Sequence, residues 1–465
     1  MAALPVRRLR SATAAGVVLA LACALVALSG PAEAARRPAP SGLRATAGQA
    51  TLSLRWHRVR KAPGYRVRWS THRSMAASHR LASVRHRAVI GGLAPDTRYF
   101  VQVAVAARKG RGHLLSPWSR KVARRTPPPP CPTVGNLGDP TPAPTTGKPT
   151  DLRIASFNIR TITLDSADHP EQRWANRAAR AATLLLGAPT TLNPAGAAPP
   201  DVIALQEANQ SYAHFAAPCT NQMIDLRNRL DAGSGRHYEA TSLNPSASVG
   251  TRILFDTGRL RLEAAGSVLL APASTTHPHL SWAIFQARDG GQEFFFGSVH
   301  LVPSEAPDSN TVRDAEWDRL LTVLADPGVT RGLPVVLGGD FNSYRYSSNA
   351  NTTARTHLPL MAAAGIPDML LGALDPADPD LEVADARPTT TPLNANCMSF
   401  NGFNAAQRCA DPALIGQQID YLFASTAVTV KTWEMVLDLD GLGNWLGTIP
   451  SDHNQLRATV TLPPA

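Results

Sequence analysis

Eight polar residues in this 465-residue chain have the types needed for bond-breaking chemistry: Asn158, Glu207, His300, Asp340, Asn342, Asp420, Asp452 and His453. Phosphodiester hydrolysis needs a positioned water, in-line geometry, a sink for developing charge and a proton for the leaving oxygen. A hard divalent ion held by carboxylate and amide oxygens supplies the sink and orients the phosphate. Glu207 and Asp452 suit that task, with Asn158 close behind. A carboxylate beside an imidazole sets its tautomer and stabilises the imidazolium. Asp420 and His453 could form such a pair, and His300 could contact the phosphate or protonate a leaving oxygen. Asn342 and Asn158 add hydrogen bonds without charge that would repel an anion.

Their positions relative to strands make them a set. Short apolar runs at residues 152–157, 202–205, 252–255, 282–287, 294–299, 334–337, 421–424 and 456–462 have strand character. Asn158 ends the first run and Gln206-Glu207 follows the second; His300 ends the fifth, and Gly339-Asp340-Phe341-Asn342 follows the sixth. Asp420 precedes the seventh, and Ser451-Asp452-His453 precedes the last. In antiparallel pairs the end of one strand and the start of the next share an edge, so one rim could collect all eight. Residues 173–186 and 311–324 have helical patterns, and Trp317, Leu320, Leu321 and Leu324 share a core face. Many strands with few helices between them predict an α+β arrangement of layers.

The N-terminal third is different in kind. Arg7, Arg8 and Arg10 precede an apolar run at 14–28, and Ala32-Glu33-Ala34 offers a small-x-small cleavage site. That is the layout of a secretory signal peptide over residues 1–34, too short for a membrane span, and it predicts an extracellular protein. Beyond it stand Cys131, Cys219, Cys397 and Cys409, an even number that predicts two disulfides with three possible connectivities. Cys397 with Cys409 would close a short loop and is the preferred pair. Residues 35–127 carry 21 Lys and Arg against one acid, net +20, whereas residues 151–465 carry 21 against 32, net −11. The basic part could hold a polyanion such as nucleic acid, an anionic cell-wall polymer or lipid headgroups. Its strands alternate: Leu52, Leu54 and Trp56; then Tyr65, Val67 and Trp69; then Tyr99, Val101, Val103 and Val105. With the turn Leu93-Ala94-Pro95-Asp96-Thr97-Arg98 before Tyr99, residues 38–127 resemble a fibronectin type III domain, which implies an all-β immunoglobulin-like sandwich. A Pro/Thr-rich linker follows at 128–150.

Six motifs in order, Ser156-Phe157-Asn158, Gln206-Glu207, Ser298-Val299-His300-Leu301, Gly339-Asp340-Phe341-Asn342, Gln418-Ile419-Asp420-Tyr421 and Ser451-Asp452-His453, resemble the endonuclease/exonuclease/phosphatase superfamily. The resemblance covers 151–465 and implies a four-layered α/β/β/α sandwich with the site at the mouth between two sheets. It implies Glu207 as principal metal ligand, with Asn158 and Asp452 supporting metal and phosphate. Mg²⁺ is the implied ion, with Mn²⁺ and Ca²⁺ as alternatives. It further implies Asp340 to orient or deprotonate water, Asn342 to hold a phosphate oxygen, His453 oriented by Asp420 as base or charge stabiliser, and His300 as the counterpart acid. Pancreatic-type deoxyribonucleases carry a Glu before a mid-domain strand; this chain has Val249-Gly250-Thr251 there, so Arg252 could reach the phosphate instead. Arg313, near a helix start, is a second candidate contact.

Three functions fit these residues. A secreted nuclease uses the full motif set and the basic module. The second is a phospholipid phosphodiesterase of the secreted sphingomyelinase type, or a phosphatase; the lipid enzyme would use Trp445, in Gly441-Leu442-Gly443-Asn444-Trp445-Leu446-Gly447, as an exposed aromatic tip. An inert surface-binding protein would have lost a motif residue, and none is lost.

Overall fold

The structure, a computed structural model, describes residues 37–48, 50–94, 96–127, 141–142, 145–217, 219–241, 250–270, 279–303, 307–345, 353–370, 387–412 and 414–465. The proposed signal peptide, most of the linker and Cys131 lie outside the described residues. Contacts divide the chain into two units, described separately.

The first unit contains β1 (Arg44–Gly48), β2 (Thr51–Arg55), β3 (Tyr65–Ser70), β4 (His79–Ser83), β5 (Arg87–Ile90), β6 (Arg98–Val105) and β7 (Val122–Arg125). They form two antiparallel sheets, ordered β1-β2-β5 and β4-β3-β6-β7. The alternating residues Leu52, Leu54, Tyr65, Val67, Val101, Val103 and Val105 fill the space between them with Trp56. Trp56 meets Tyr65 edge-on at 5.2 Å between ring centres. This is the sandwich that the alternation predicts.

The second unit contains β8 (Thr150–Asn158), β9 (Val202–Gln206), β10 (Tyr238–Ala240), β11 (Arg252–Asp256), β12 (Leu260–Leu269), β13 (His279–Ala287), β14 (Glu293–His300), β15 (Val335–Asp340), β16 (Asp420–Ala424), β17 (Thr429–Val436) and β18 (Gln455–Leu462). One sheet runs β10-β11-β9-β8-β18-β17 and the other β12-β13-β14-β15-β16. Each has one parallel pair, β8 with β9 and β14 with β15. A parallel pair needs a long crossover, and α1 (Trp174–Leu185) and α3 (Pro307–Ala325) lie on those two crossovers; α2 (Gln222–Ser234) and α4 (Thr353–Ala363) complete the outer layers.

Strand alternation separates three cores. Inward residues such as Ile154, Val202, Ala204, Phe285, Phe296, Val336 and Leu422 pack between the sheets. Outward residues Ala155, Phe157, Ile203 and Leu205 pack with Trp174, Ala181 and Leu226 of α1 and α2. On the other side Phe295, Leu337, Tyr421 and Phe423 pack with Trp317, Leu320 and Met361 of α3 and α4. The four layers are α/β/β/α. Of the expected helix face, Trp317, Leu320 and Leu324 are buried and Leu321 is partly buried against the same core.

Cys397 and Cys409 are disulfide-bonded. Cys219 is also in a disulfide. Trp445, expected at an exposed tip, is instead 7% exposed and part of the inner core, while Leu442 is 87% exposed. The glycines at 441, 443 and 447 make the turn, but the indole folds back because burying its large apolar area outweighs leaving it in water.

Glu316 of α3 is buried and accepts the Val302 N–H at 2.9 Å, bracing the chain just after His300. Burial pushes its carboxyl up to about 7, against the lowering effects of that hydrogen bond and Arg313. A carboxyl raised on folding stabilises most when neutral in both states, below its usual range, and that contribution is lost as pH rises through about 7. Glu316→Gln should therefore flatten stability against pH between roughly 4.5 and 7, by at most about 3 kcal/mol. Urea denaturation of both proteins across that range measures it; an unchanged profile would contradict the assignment.

Candidate active site

The inward face that is apolar along the middle of each strand turns polar at one end. Asn158 and Gln206 share the inward parity of Ile154 and Val202; His300, Asp340 and Asp420 share that of Phe296, Val336 and Leu422. Register then brings them side by side. Asn158 pairs with Gln206, His300 with Asp340, and Asp340 with Asp420. Period-two alternation and three registers place these side chains at one mouth between the sheets.

Here the two sheets approach closely. A Cβ on Gly338 would lie 2.8 Å from Ser156 Cβ and 3.1 Å from Ala204 Cβ. Beside it, Ser298 Oγ donates to Leu205 O at 2.9 Å and accepts from Gln206 Nε2 at 3.0 Å, tying the sheets together. The approach lets one buried amide bridge them. Asn158 Nδ2 is 2.9 Å from Asp340 Oδ2, 3.2 Å from Glu207 Oε1 and 3.4 Å from His453 Nε2. Asn158 Oδ1 accepts the Arg160 N–H at 3.0 Å, which fixes the amide's orientation.

Glu207 follows β9 with φ of +56°, a left-handed conformation costly for a non-glycine residue and found where surroundings enforce it. Its Oε2 accepts the Thr161 N–H at 2.9 Å. Burial opposes its charge, but His300, the Thr161 N–H, His453 and Asn158 outweigh burial and hold the carboxyl below its usual range. Asp452 has the opposite balance. Burial and the nearby Glu207 charge raise it, against His453, Arg160 and Arg177. Arg160 Nε lies 3.3 Å from Asp452 Oδ2.

Asp420 is buried, and His453 Nδ1 sits 3.0 Å from its Oδ2. Burial raises the Asp420 carboxyl to about 6, partly offset by His453. Burial pulls His453 down, but Asp420, Asp340 and Asp452 hold the imidazole well above its ordinary value. The pairing orients the imidazole and favours its charged form, and its other nitrogen lies 3.5 Å from Asp340 Oδ2. His300 Nε2 is also 3.5 Å from Asp340 Oδ2. Asp340 thus stands between two imidazoles. Asn342, with φ of +46°, donates its backbone N–H to Asp340 Oδ1 and its Nδ2 to Leu301 O, both at 2.9 Å.

The donor set fits a divalent cation: the Glu207 carboxyl is held below its usual range, and Asp452 is raised first by burial and then by the nearby Glu207 charge. Asp340, Asp420 and His453 also lie within 4.8 Å of one another, but Asp420 is committed to His453. Glu207 and Asp452 remain the candidate ligands. Asn158, expected among the ligands, aims its NH₂ group at the acids and so organises them.

Two further expectations are corrected. Arg252 has the parity of Leu254, on the outer face of its sheet under α2, and its buried guanidinium donates to Thr251 O at 2.6 Å. Burial lowers it to about 9. Arg313 is fully buried, donating to Val302 O at 3.1 Å and Asn310 Oδ1 at 2.7 Å. It braces the segment after His300 and does not face the mouth.

Several neighbours carried no sequence signal. Arg160 follows Asn158 by two residues, and Phe403 lies 5.0 Å from its guanidinium. Arg177 is buried in α1, donating to Ile159 O and Arg160 O. The disulfide-closed loop supplies Ser399, whose Oγ accepts the Asp420 N–H at 3.1 Å, and Phe400, edge-on to His453 at 5.1 Å. The spacing Cys397–Cys409 marked the loop but not its role.

Gly338→Ala should push β15 away from β8 and β9, costing about 1–3 kcal/mol as overpacking does, with a fall in turnover larger than this stability loss explains. Ser156→Gly in the same chain should recover part of both. Thermal denaturation and kinetics check this, and a fully active, fully stable Gly338→Ala protein would refute the close-approach argument.

The profile of the Endonuclease/Exonuclease/phosphatase family matches residues 155–453, and that of the Fibronectin type III domain matches 38–124. No curated protein sequence matches the chain. Among solved structures, an endonuclease/exonuclease/phosphatase family protein from Bacteroides thetaiotaomicron is 17% identical, with TM-score 0.47, covering 68% of this chain and 99% of its own. The human Nocturnin catalytic domain with bound sulfate is 18% identical, with TM-score 0.41, covering 67% of this chain and 94% of its own. D. rerio TDP2 with a single-strand DNA product is 15% identical, with TM-score 0.41, covering 67% and 99%.

Proposed function

Because the chain belongs to the endonuclease/exonuclease/phosphatase family, whose members hydrolyse phosphoester bonds, we propose that it is a secreted, divalent-metal-dependent phosphodiester hydrolase acting on nucleic acid. The observation that carries the reading is Asn158 Nδ2 donating to Glu207 and Asp340 from one point, with His453 Nε2 3.5 Å from the same Asp340 oxygen. Carboxylates, an oriented imidazole and a second imidazole would then face a single reacting phosphate.

Glu207 and Asp452 would hold the ion, Mg²⁺ first among the candidates, which when bound neutralises charge on the phosphate oxygens. Asp340, flanked by His300 and His453, orients the attacking water and accepts its proton. His453, held charged by Asp420, stabilises the developing negative charge. His300, whose Nε2 lies 3.5 Å from Asp340, protonates the leaving oxygen. Asn342 positions Asp340 through its backbone N–H and presents its side chain at the same rim.

Nucleic acid is favoured by the basic N-terminal unit, net +20 over residues 35–127, which would hold a polyanion while the acidic unit cuts it. The lipid reading relied on an exposed Trp445, and that indole is buried. Among the described residues no helix is long and apolar enough to cross a membrane. Secretion rests on the N-terminal pattern of three arginines, an apolar run and Ala32-Glu33-Ala34.

Glu207→Gln should abolish metal-dependent cleavage of an aryl phosphodiester while the protein still melts cooperatively; unchanged turnover would sink the site. Assaying plasmid DNA, RNA, sphingomyelin and inositol phosphates with Mg²⁺ and with chelator tests the substrate, and turnover of lipid alone would reject the nuclease reading. Asp420 raises His453, so Asp420→Asn should lower that imidazole's pKa and move the alkaline limb of the rate profile to lower pH. It should also cost roughly 10²–10⁴-fold in turnover. A limb that stays put would remove the pair from the mechanism.

A further inference from the structure

Helices α1 and α2 cover only part of the outer face of the six-stranded sheet. Over β17, β18 and the edge of β8, cover comes instead from the chain around residues 193–200 and from Thr390 and Thr391. Beneath them lies a cavity of about 520 Å³, within the roughly 300–1,000 Å³ typical of small-molecule sites. The catalytic residues face inward, so the thickness of the sheet separates the two.

The lining is polar and incompletely satisfied. Arg457, Gln455 and Glu434 line this cavity and are more than nine-tenths buried. Arg457 Nε donates to Glu434 Oε2 at 2.7 Å, and Asn193 Nδ2 donates to the same oxygen at 2.9 Å. Arg457 Nη1 and Nη2, Gln455 Nε2 and Oε1, and Glu434 Oε1 are buried and find no partner in the protein. Leaving such groups unpaired costs about 1–3 kcal/mol each, and nothing in core packing requires three of them together. Thr432, Thr459, Thr390 and Thr391 add hydroxyls.

We propose that this cavity is a second ligand site that takes one unit of a neutral carbohydrate. Charge and pairing select that chemistry. Arg457 is already neutralised by Glu434, so an anion would gain little and would meet the open Glu434 Oε1. A sugar hydroxyl donates and accepts at once. Adjacent hydroxyls therefore match the alternating donors on Arg457 and Gln455 and acceptors on Glu434 and Gln455. Such a site would anchor the enzyme on a glycan, independently of how the phosphodiester is cleaved.

The test is calorimetric and NMR titration of the full chain with glucose, galactose, mannose and N-acetylglucosamine, with inorganic phosphate and acetate as anion controls. At least one sugar should bind, with affinity on the order of a millimolar or better. Gln455→Leu, and separately Ala198→Trp at the exposed lip, should each weaken it roughly tenfold or more, the loss of one or two good hydrogen bonds or of the space itself. Aryl phosphodiester cleavage should be unchanged in Ala198→Trp. If Gln455→Leu does not fold, Ala198→Trp decides alone. No sugar binding, sugar binding indifferent to the variants, or binding of phosphate or acetate alone would overturn the proposal.

Discussion

The site depends on how closely the two sheets approach at Gly338. A side chain there would collide with Ser156 and Ala204, so only glycine lets β15 come near β8 and β9. Asn158 closes the gap just beyond. One amide, fixed by Arg160, spans from Glu207 on the first sheet to Asp340 on the second and reaches His453. Were the sheets apart by the width of a side chain, the same residues would form two half-sites. The Ser298 bonds to Leu205 and Gln206 add a polar tie at the same level.

That approach concentrates charge. Glu207, Asp340, Asp420 and Asp452 are brought together in a largely buried mouth, where like charges and desolvation both cost. The protein answers each differently. Asp420 receives a buried imidazole; Glu207 receives an N–H and an amide; Asp452 receives Arg160 at 3.3 Å. Asp340 is shared by two imidazoles at 3.5 Å. Glu207 and Asp452 still raise one another's cost, and a divalent cation is the natural remedy. The same field that strains the folded protein is what a phosphate in its charged transition state would meet, once the ion is bound.

Much of this was legible because strand alternation is rigid. Asn158, His300, Asp340 and Asp420 sit at run ends that were visible as apolar stretches, and two-residue periodicity carried the inward face from core to rim. Other parts were hidden for physical reasons. Strands β12 and β17 contain register shifts at Leu262/Ala264 and Val430/Thr432, which break the alternation that would have marked them. Arg160, Arg177, Ser399 and Phe400 act through tertiary neighbours far along the chain, with no local spacing to flag them. Arg252 and Arg313 were candidates because a basic residue near a strand or helix start is all a sequence displays; only the sheet's facing and the burial of α3 show that they point elsewhere. Trp445 was misplaced because glycines mark a turn without saying which residue occupies its tip.

At the centre of the proposed site, Glu207 and Asp452 would hold a divalent ion beside the Asp340–His453–Asp420 array. Titrating Mn²⁺ into the protein and into Glu207→Gln, followed by electron paramagnetic resonance, tests it without depending on the substrate. The expected result is saturable Mn²⁺ binding in the native chain that is lost in Glu207→Gln while the fold persists. Equal binding in both proteins would place the ion elsewhere.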